Sequence, residues 1–230
     1  MDVTLIRRSI TKAISVTQSQ NRVKMNRGNA PAPDPRLAYF ETLAPRWDAT
    51  GPDPAATRDR VRELAPRLRL RPGLDLIEVG CGTGQLTGWL VEQVRPGRVV
   101  AVDFSRAMLE RARARGVAAE FREVDICAPP SLAGAFDVAL CFHAFPHFRD
   151  PAAALRHLRG LLKPTGRLLV VHLAGSAALN AFHARLGRAV AHDRLPPAAE
   201  WPALLQAAGL RLRHIEDRDD LFLMEAARAE

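Results

Sequence analysis

The chain is poor in cysteine, has a single tyrosine and contains no long apolar run. Its three cysteines, Cys81, Cys127 and Cys141, are odd in number and form no C-x-x-C pair. That excludes a disulfide scaffold and fits a reducing, cytoplasmic setting. No stretch approaches the roughly 18 consecutive apolar residues of a membrane span, so none is expected. The N-terminus lacks the apolar core of a secretory signal, and no internal repeat is visible. What remains is ordinary for a soluble globular protein. Hydrophobic residues make up 47% and charged residues 25% of 230 residues, enough chain for one domain with a sizeable core.

Acidic residues are scarce at one end. Residues 1–38 hold Arg7, Arg8, Lys12, Arg22, Lys24, Arg27 and Arg36 against Asp2 and Asp34, which is +5 of the total +8. The remaining +3 offers no nucleic-acid-binding stripe. Residues 1–35 are rich in Ser, Thr, Asn and Gln and end in a proline-spaced linker. They are expected to be a basic, disordered extension. Their composition is shared with organellar transit peptides, and Met25 offers an alternative start. Residues 36–230 are expected to form the folded domain.

From residue 36 the pattern becomes regular. Helices are expected over 36–47, 54–70, 85–94, 105–115, 150–162 and 200–209, with Ser105 as an N-cap and Pro151 in a first turn. Strands are expected over 73–79, 97–103, 117–125, 135–142 and 166–173. A long helix and loop is expected over 176–197, its apolar face formed by Leu179, Phe182, Leu186 and Val190. "LRLRHIE" and "LFLMEA" predict a terminal antiparallel hairpin. Alternating strands and helices predict an α/β fold: a doubly wound, Rossmann-like sheet, mostly parallel, with helices on both faces and the hairpin at its C-terminal end.

One stretch carries chemistry. "LIEVGCGTGQLTGWL" (76–90) places Gly80, Gly82 and Gly84 between a strand and a helix, where a ligand can approach bare backbone and helix N–H groups. Asp103 ends the next strand, where a carboxylate can take both hydroxyls of a ribose. The third glycine comes too early for the G-x-G-x-x-G dinucleotide fingerprint. Glu78, two residues before the turn, would repel a pyrophosphate and welcome a cation. Both points disfavour an NAD-dependent dehydrogenase.

These features resemble the class I S-adenosylmethionine-dependent methyltransferases. The family's motifs are matched in order by "EVGCGTG", "VVAVDFS", Asp125-Ile126 in "FREVDI", "FDVALCFHAFPHF" and "HLRGLLKPTGRLLVV". Thr165 departs, standing where the family usually has a second glycine. The opening "YFETLAPRWD" is similar to a branch that includes quinone-modifying C-methyltransferases. The resemblance implies S-adenosylmethionine as cofactor and a small-molecule methyl acceptor. It implies that Glu78 holds the methionine ammonium, that Gly80, Cys81, Gly82, Thr83 and Gly84 line the methionine and ribose, and that Asp103 takes the ribose hydroxyls. Phe104 and Met108 then lie near the adenine, Asp125 meets its amino group and Ile126 packs on the ring. Phe142 falls where the fourth strand opens onto the methyl group, and Tyr39 and Trp47 belong to the cofactor side.

Methyl transfer needs alignment more than a catalytic group, and a base only if the acceptor carries a proton that must leave. The candidates are His143 and His147 after strand four and His172 at the end of strand five, with His183 in the inserted helix. Convergence of His143, His172 and His183 would open a metal site. Without it, His143 is the leading base. His157 and His214 read as solvated. The stretch "FHAFPHF" lacks the Asn/Asp-Pro-Pro-aromatic signature of a base-flipping nucleic-acid methyltransferase. A protein that binds the cofactor without catalysis is the alternative reading, as is a metal- or metalloid-linked methyltransferase.

Overall fold

The structure, a computed structural model, describes residues 34–51, 53–129, 132, 135–186 and 189–229. The expected basic extension lies outside the described residues up to residue 33. Asp34 is already part of the folded chain: its carboxylate accepts from Arg36 N and caps the helix Pro35–Leu43. A 3₁₀ turn at Ala44–Arg46 and a short helix Trp47–Thr50 follow.

Seven strands form one sheet: β1 Leu76–Val79, β2 Val99–Asp103, β3 Glu120–Glu123, β4 Phe136–Phe142, β5 Leu162–His172, β6 Leu210–Arg218 and β7 Leu221–Arg228. Their order is β3-β2-β1-β4-β5-β7-β6. The first five are parallel, and β7 runs antiparallel between β5 and β6. This is the expected doubly wound sheet with its terminal hairpin. Every residue of β1 and β2 is buried, as the unbroken apolar runs require when helices cover both faces.

Alternation along each strand divides the interior into two cores. Ile77, Val79, Val100 and Val102 pack with Leu155, Leu158 and Trp201 on one face. Leu76 and Leu140 pack with Val61, Leu64, Trp89 and Leu90 on the other. Glu78 shares the face of Leu76, so a carboxyl points into an apolar layer under the helix Thr87–Val94. The helix starts are capped as the residue types suggest: Asp53 accepts from Ala55 N, Ser105 from Met108 N and Asp150 from Ala153 N.

Three elements differ from expectation. The helix after β5 spans only Ser176–His183. Asn180 donates to Leu195 O at 2.9 Å and accepts from Leu195 N at 2.8 Å, which turns the chain back on itself. His183 is therefore buried while Phe182, expected on the apolar face, is not. β3 is short and largely exposed, as suits an edge strand. β5 begins at Leu162, because Lys163 reaches Asp137 at 2.7 Å and Asp75 at 3.3 Å and carries Pro164 into the strand.

Candidate active site

The site is built at the carboxyl ends of β1, β2 and β4. β1 delivers Glu78 and then the turn Gly80–Gly84. At Gly80 φ is +73°, and a Cβ would sit 2.4 Å from Ala144 Cβ, so only glycine lets this turn pass the chain leaving β4. At Gly82 φ is +54° and no atom lies within 4 Å of a Cβ position, so its backbone opens onto a cleft of about 710 Å³.

Two carboxyls flank the turn. Glu78 is 3% exposed, and Thr87 Oγ1 donates to its Oε2 at 2.6 Å. Burial pushes its value up to about 8; the Thr87 bond opposes the rise and the Asp103 charge adds to it. Asp103 is also buried and is raised to about 6 by burial, against the pull of backbone N–H groups. Gly82 N donates to its Oδ2 at 2.8 Å and Ser105 N to its Oδ1 at 2.9 Å. A site that keeps a buried glutamic acid near neutrality is electrostatically prepared for a cation. Cys81 is buried beside them, its thiol pushed well up by burial.

The N-terminal segment closes the cleft. Phe40 and Trp47 enter its wall with Phe104 and Met108. The Phe40 ring meets Trp47, Phe104 and His147 edge-on at centroid distances of 5.8, 5.9 and 5.0 Å. Acids pin this segment to the sheet. Glu41 accepts from Ser105 Oγ at 2.8 Å and from Ala107 N at 3.2 Å. Asp48 accepts from Thr83 Oγ1 at 2.5 Å and from Gln85 Nε2 at 2.8 Å, and pairs with Arg115.

At the other end lie Val124, Asp125, Ile126, Cys127, Phe148 and Arg149. Asp125 caps the loop after β3 by accepting from Cys127 N at 2.9 Å and pairs with Arg149. His157, expected to be solvated, bonds Ile126 O through Nδ1 at 2.9 Å and so holds that loop in place.

Among the cofactor-side expectations, Gly80, Gly82, Asp103, Phe104, Met108, Asp125, Ile126 and Trp47 come together on the cleft wall, with His143 and His147. Glu78, Cys81, Thr83, Gly84, Phe142, Tyr39 and His172 are not among the residues that line it. Thr83 is spent on Asp48, Phe142 packs on the opposite core, and Tyr39 packs around Phe40 and Met108. The histidines fall into two pairs. His143 and His172 are 5.1 Å apart between ring centroids, and His147 and His183 are 5.0 Å apart. Among the described residues no group of three or more His, Cys, Asp or Glu is arranged to hold a metal. His143 has φ +54°, its Nε2 accepts from Leu173 N at 3.3 Å, and burial lowers its value to about 4. His172 is 1% exposed, neither ring nitrogen has a partner among the described residues, and burial holds it well below the usual imidazole range. His147 differs: its Nδ1 lies 2.6 Å from Asp193 Oδ2.

Sequence reasoning missed Phe40, Asp48, Glu41 and Asp193 as parts of the site. The acids of the N-terminal aromatic segment were a visible signal for Glu41 and Asp48. Asp193 had none, since its partners His147 and Arg36 are 46 and 157 residues away.

Comparison with known proteins agrees with this geometry. Residues 77–170 match the family model described as a methyltransferase domain. A ubiquinone biosynthesis O-methyltransferase from Xanthomonas axonopodis pv. citri (strain 306) is 34% identical over 199 residues, covering 78% of this chain and 81% of that protein. Nocamycin O-methyltransferase from Saccharothrix syringae is 38% identical over 136 residues, covering 56% of this chain and 48% of that protein. The chain thus spans about half the length of some curated relatives it matches. The solved complex of DhpI with S-adenosylhomocysteine superposes with a TM-score of 0.66 at 23% identity, covering 85% of this chain and 96% of that one. No helix among the described residues is long and apolar enough to cross a membrane. Sequence, sheet order and glycine turn together make the chain a member of the class I S-adenosylmethionine-dependent methyltransferases, enzymes that use S-adenosylmethionine as cofactor.

Proposed function

We propose that this enzyme methylates a small-molecule acceptor held between the glycine turn and the N-terminal aromatic segment. The observation that carries this reading is the pair of buried carboxyls, Glu78 and Asp103, set around a turn whose backbone at Gly82 is open to the cleft. These residues fit the cofactor. Glu78 uses one oxygen on Thr87, and its other oxygen makes no hydrogen bond among the described residues, which leaves it for an ammonium group. Asp103 is fixed by two backbone N–H groups in the orientation that can accept ribose hydroxyls. Phe104, Met108 and Ile126 give the apolar wall an adenine needs, and Asp125 stands at its rim. When bound, the cofactor supplies an electrophilic methyl on a sulfonium sulfur. The chain's own part is to align the acceptor and exclude water, which can be worth on the order of 7–11 kcal/mol. Phe40, Trp47 and the Asp48 and Glu41 anchors serve that exclusion.

The acceptor is read as a small molecule rather than a nucleic acid, which the weak positive surplus outside the N-terminal extension supports. The names of two relatives, both O-methyltransferases, support an acceptor methylated on oxygen. The three free thiols support a reducing, cytoplasmic setting. The test is a screen of small acceptors with isotopically labelled S-adenosylmethionine, read by product mass. Tight NAD binding by calorimetry without S-adenosylmethionine binding would overturn the assignment.

A further inference from the structure

His172 ends β5 with both ring nitrogens buried and unpaired among the described residues. The other imidazoles near the cleft each use a nitrogen: His143 Nε2 accepts from Leu173 N, His147 Nδ1 faces Asp193 Oδ2, and His183 Nδ1 bonds Asp193 O. The register partner of His172 on β7 is Phe222, whose ring lies 6.3 Å away. An apolar side chain would suit that place better. A buried polar side chain without partners destabilises the fold and calls for a group that supplies the missing bonds.

The neighbouring ring shows where such a group can enter. His143 lines the cleft, and its ring lies edge-on to His172 at 5.1 Å between centroids. Because its Nε2 accepts an N–H, the neutral ring carries its proton on Nδ1, which is a donor without a partner among the described residues. Neutral His172 offers one N–H and one lone pair. Burial lowers His143 to about 4 and holds His172 well below the usual imidazole range, so both are uncharged at neutral pH. Bases that weak do not take the proton of a hydroxyl. His143 is loosely held: its 3.3 Å bond is long, and its φ of +54° is one that residues with side chains seldom adopt. An N–H···O bond places the oxygen about 4 Å from its own ring centroid, so these two rings are spaced to share one oxygen. The cleft wall also holds Asp34, Asp103 and Asp125, and its one arginine or lysine among the described residues, Arg149, is paired with Asp125. It has no free guanidinium or ammonium to balance an anion.

We propose that His143 and His172 form a subsite that recognises the acceptor, and that it takes an uncharged molecule by a hydroxyl distinct from the atom that is methylated. The inference rests on the methyltransferase reading above. The two rings part to admit the hydroxyl oxygen, which accepts from His143 Nδ1–H and donates to the free lone pair of His172. A carbonyl would leave that lone pair unpaired. A carboxylate would do the same and bring a charge that the wall repels.

The test uses the full-length enzyme with labelled S-adenosylmethionine and two matched sets of acceptors. One is catechol, phenol and salicylate; the other is 1,2-cyclohexanediol, cyclohexanol and 2-hydroxycyclohexanecarboxylate. Within a set the diol should be methylated once. The analogue without the second hydroxyl, or with a carboxylate in its place, should lose on the order of 10²-fold or more in kcat/KM, as sites built to bond a hydroxyl reject analogues lacking it. His172→Phe removes both nitrogens and keeps an aromatic ring. The variant should melt at a higher temperature than wild type and bind S-adenosylmethionine within about twofold of it. Its kcat/KM for the diol and the mono-ol should come within about threefold of each other, a loss of discrimination that a merely structural role would not produce. In the wild type with S-adenosylhomocysteine bound, adding the diol should shift the ¹⁵N resonances of both rings. Resonances that ignore both diols overturn the proposal, as do unchanged discrimination in His172→Phe, equal kcat/KM for the carboxylate, or a water alone between the rings in a crystal structure of the ternary complex. Cofactor binding without turnover of any acceptor in either set overturns the acceptor class and leaves the methyltransferase assignment standing. Loss of cofactor binding in the wild type sinks that assignment instead.

Discussion

Glu78→Gln should make the protein more stable and its cofactor site weaker. Glu78 lies in an apolar layer, and burial raises its value from 4.5 to about 8. Such an acid favours the fold where it is neutral in both states, below its ordinary value of 4.5. As pH rises from there, the unfolded chain ionises and the folded one does not. Stability then falls by about 1.4 kcal/mol per pH unit until the folded group also ionises near pH 8. By pH 7 the loss is about 3 kcal/mol, and by pH 8 up to about 5 kcal/mol. Glutamine keeps an acceptor for Thr87 Oγ1 and never ionises, so it escapes this loss. At 2–4 °C per kcal/mol for a domain of this size, the variant should melt roughly 10 °C higher at pH 7 and no higher at pH 4.5. Urea unfolding at pH 4.5, 6, 7 and 8 measures the difference directly. The same substitution removes the charge that the cofactor's ammonium needs, a loss of about 1.5–3 kcal/mol in binding. In the wild type, binding at pH 7 should release close to one proton, visible as a buffer-dependent binding enthalpy. Parallel stability curves for the two proteins across pH 4.5–8 would refute the reasoning, because the burial of Glu78 would then carry no electrostatic cost.

Other outcomes follow from the same geometry. Asp103→Ala should weaken S-adenosylmethionine binding by about 1.5–3 kcal/mol in calorimetry, having lost a charged acceptor and freed Gly82 N and Ser105 N. Gly80→Ala should destabilise the fold by about 2–5 kcal/mol, read as a lowered urea midpoint, since a left-handed residue then also drives its Cβ into Ala144. Asp48→Ala should leave the melting temperature within a few degrees yet expose residues 34–51 to faster hydrogen exchange and speed cofactor release, because Thr83, Gln85 and Arg115 all lose their anchor. Burial raises Asp48, but the hydrogen bonds from Thr83 and Gln85 and the Arg115 charge bring it below the ordinary carboxylate range. This contact is therefore intact at neutral pH and weakens only as pH falls through the ordinary carboxylate range and below it.

The half of the site proposed for the cofactor was legible as a cluster because it is local. Glu78, the turn Gly80–Gly84 and Asp103 lie on two successive strand–helix units, and in a parallel sheet the carboxyl ends of adjacent strands meet by construction. The alternation of strands with helices and the terminal hairpin followed from apolar runs and their spacing. The acceptor half was not legible, because its contacts are long-range. Nothing in "YFETLAPRWD" says that Asp48 will reach Thr83, and nothing in "AHDRL" says that Asp193 will lie under His147 and take Arg36. The inserted helix was read as long because its period was sound; Asn180 and His183, polar residues inside that pattern, turn the chain back through bonds to Leu195 and Asp193 that no periodicity encodes. The division has a physical consequence. The residues proposed to read the cofactor are held by the sheet and cannot change without straining β1 and β2. The wall opposite them comes from the first helix, the turn after β4 and the segment after β5, which touch the sheet mainly through a few hydrogen-bonded acids. On the proposed function, substitutions there change which acceptor fits and leave the core intact, so that wall can diverge while the glycine turn and its two buried carboxyls stay as they are.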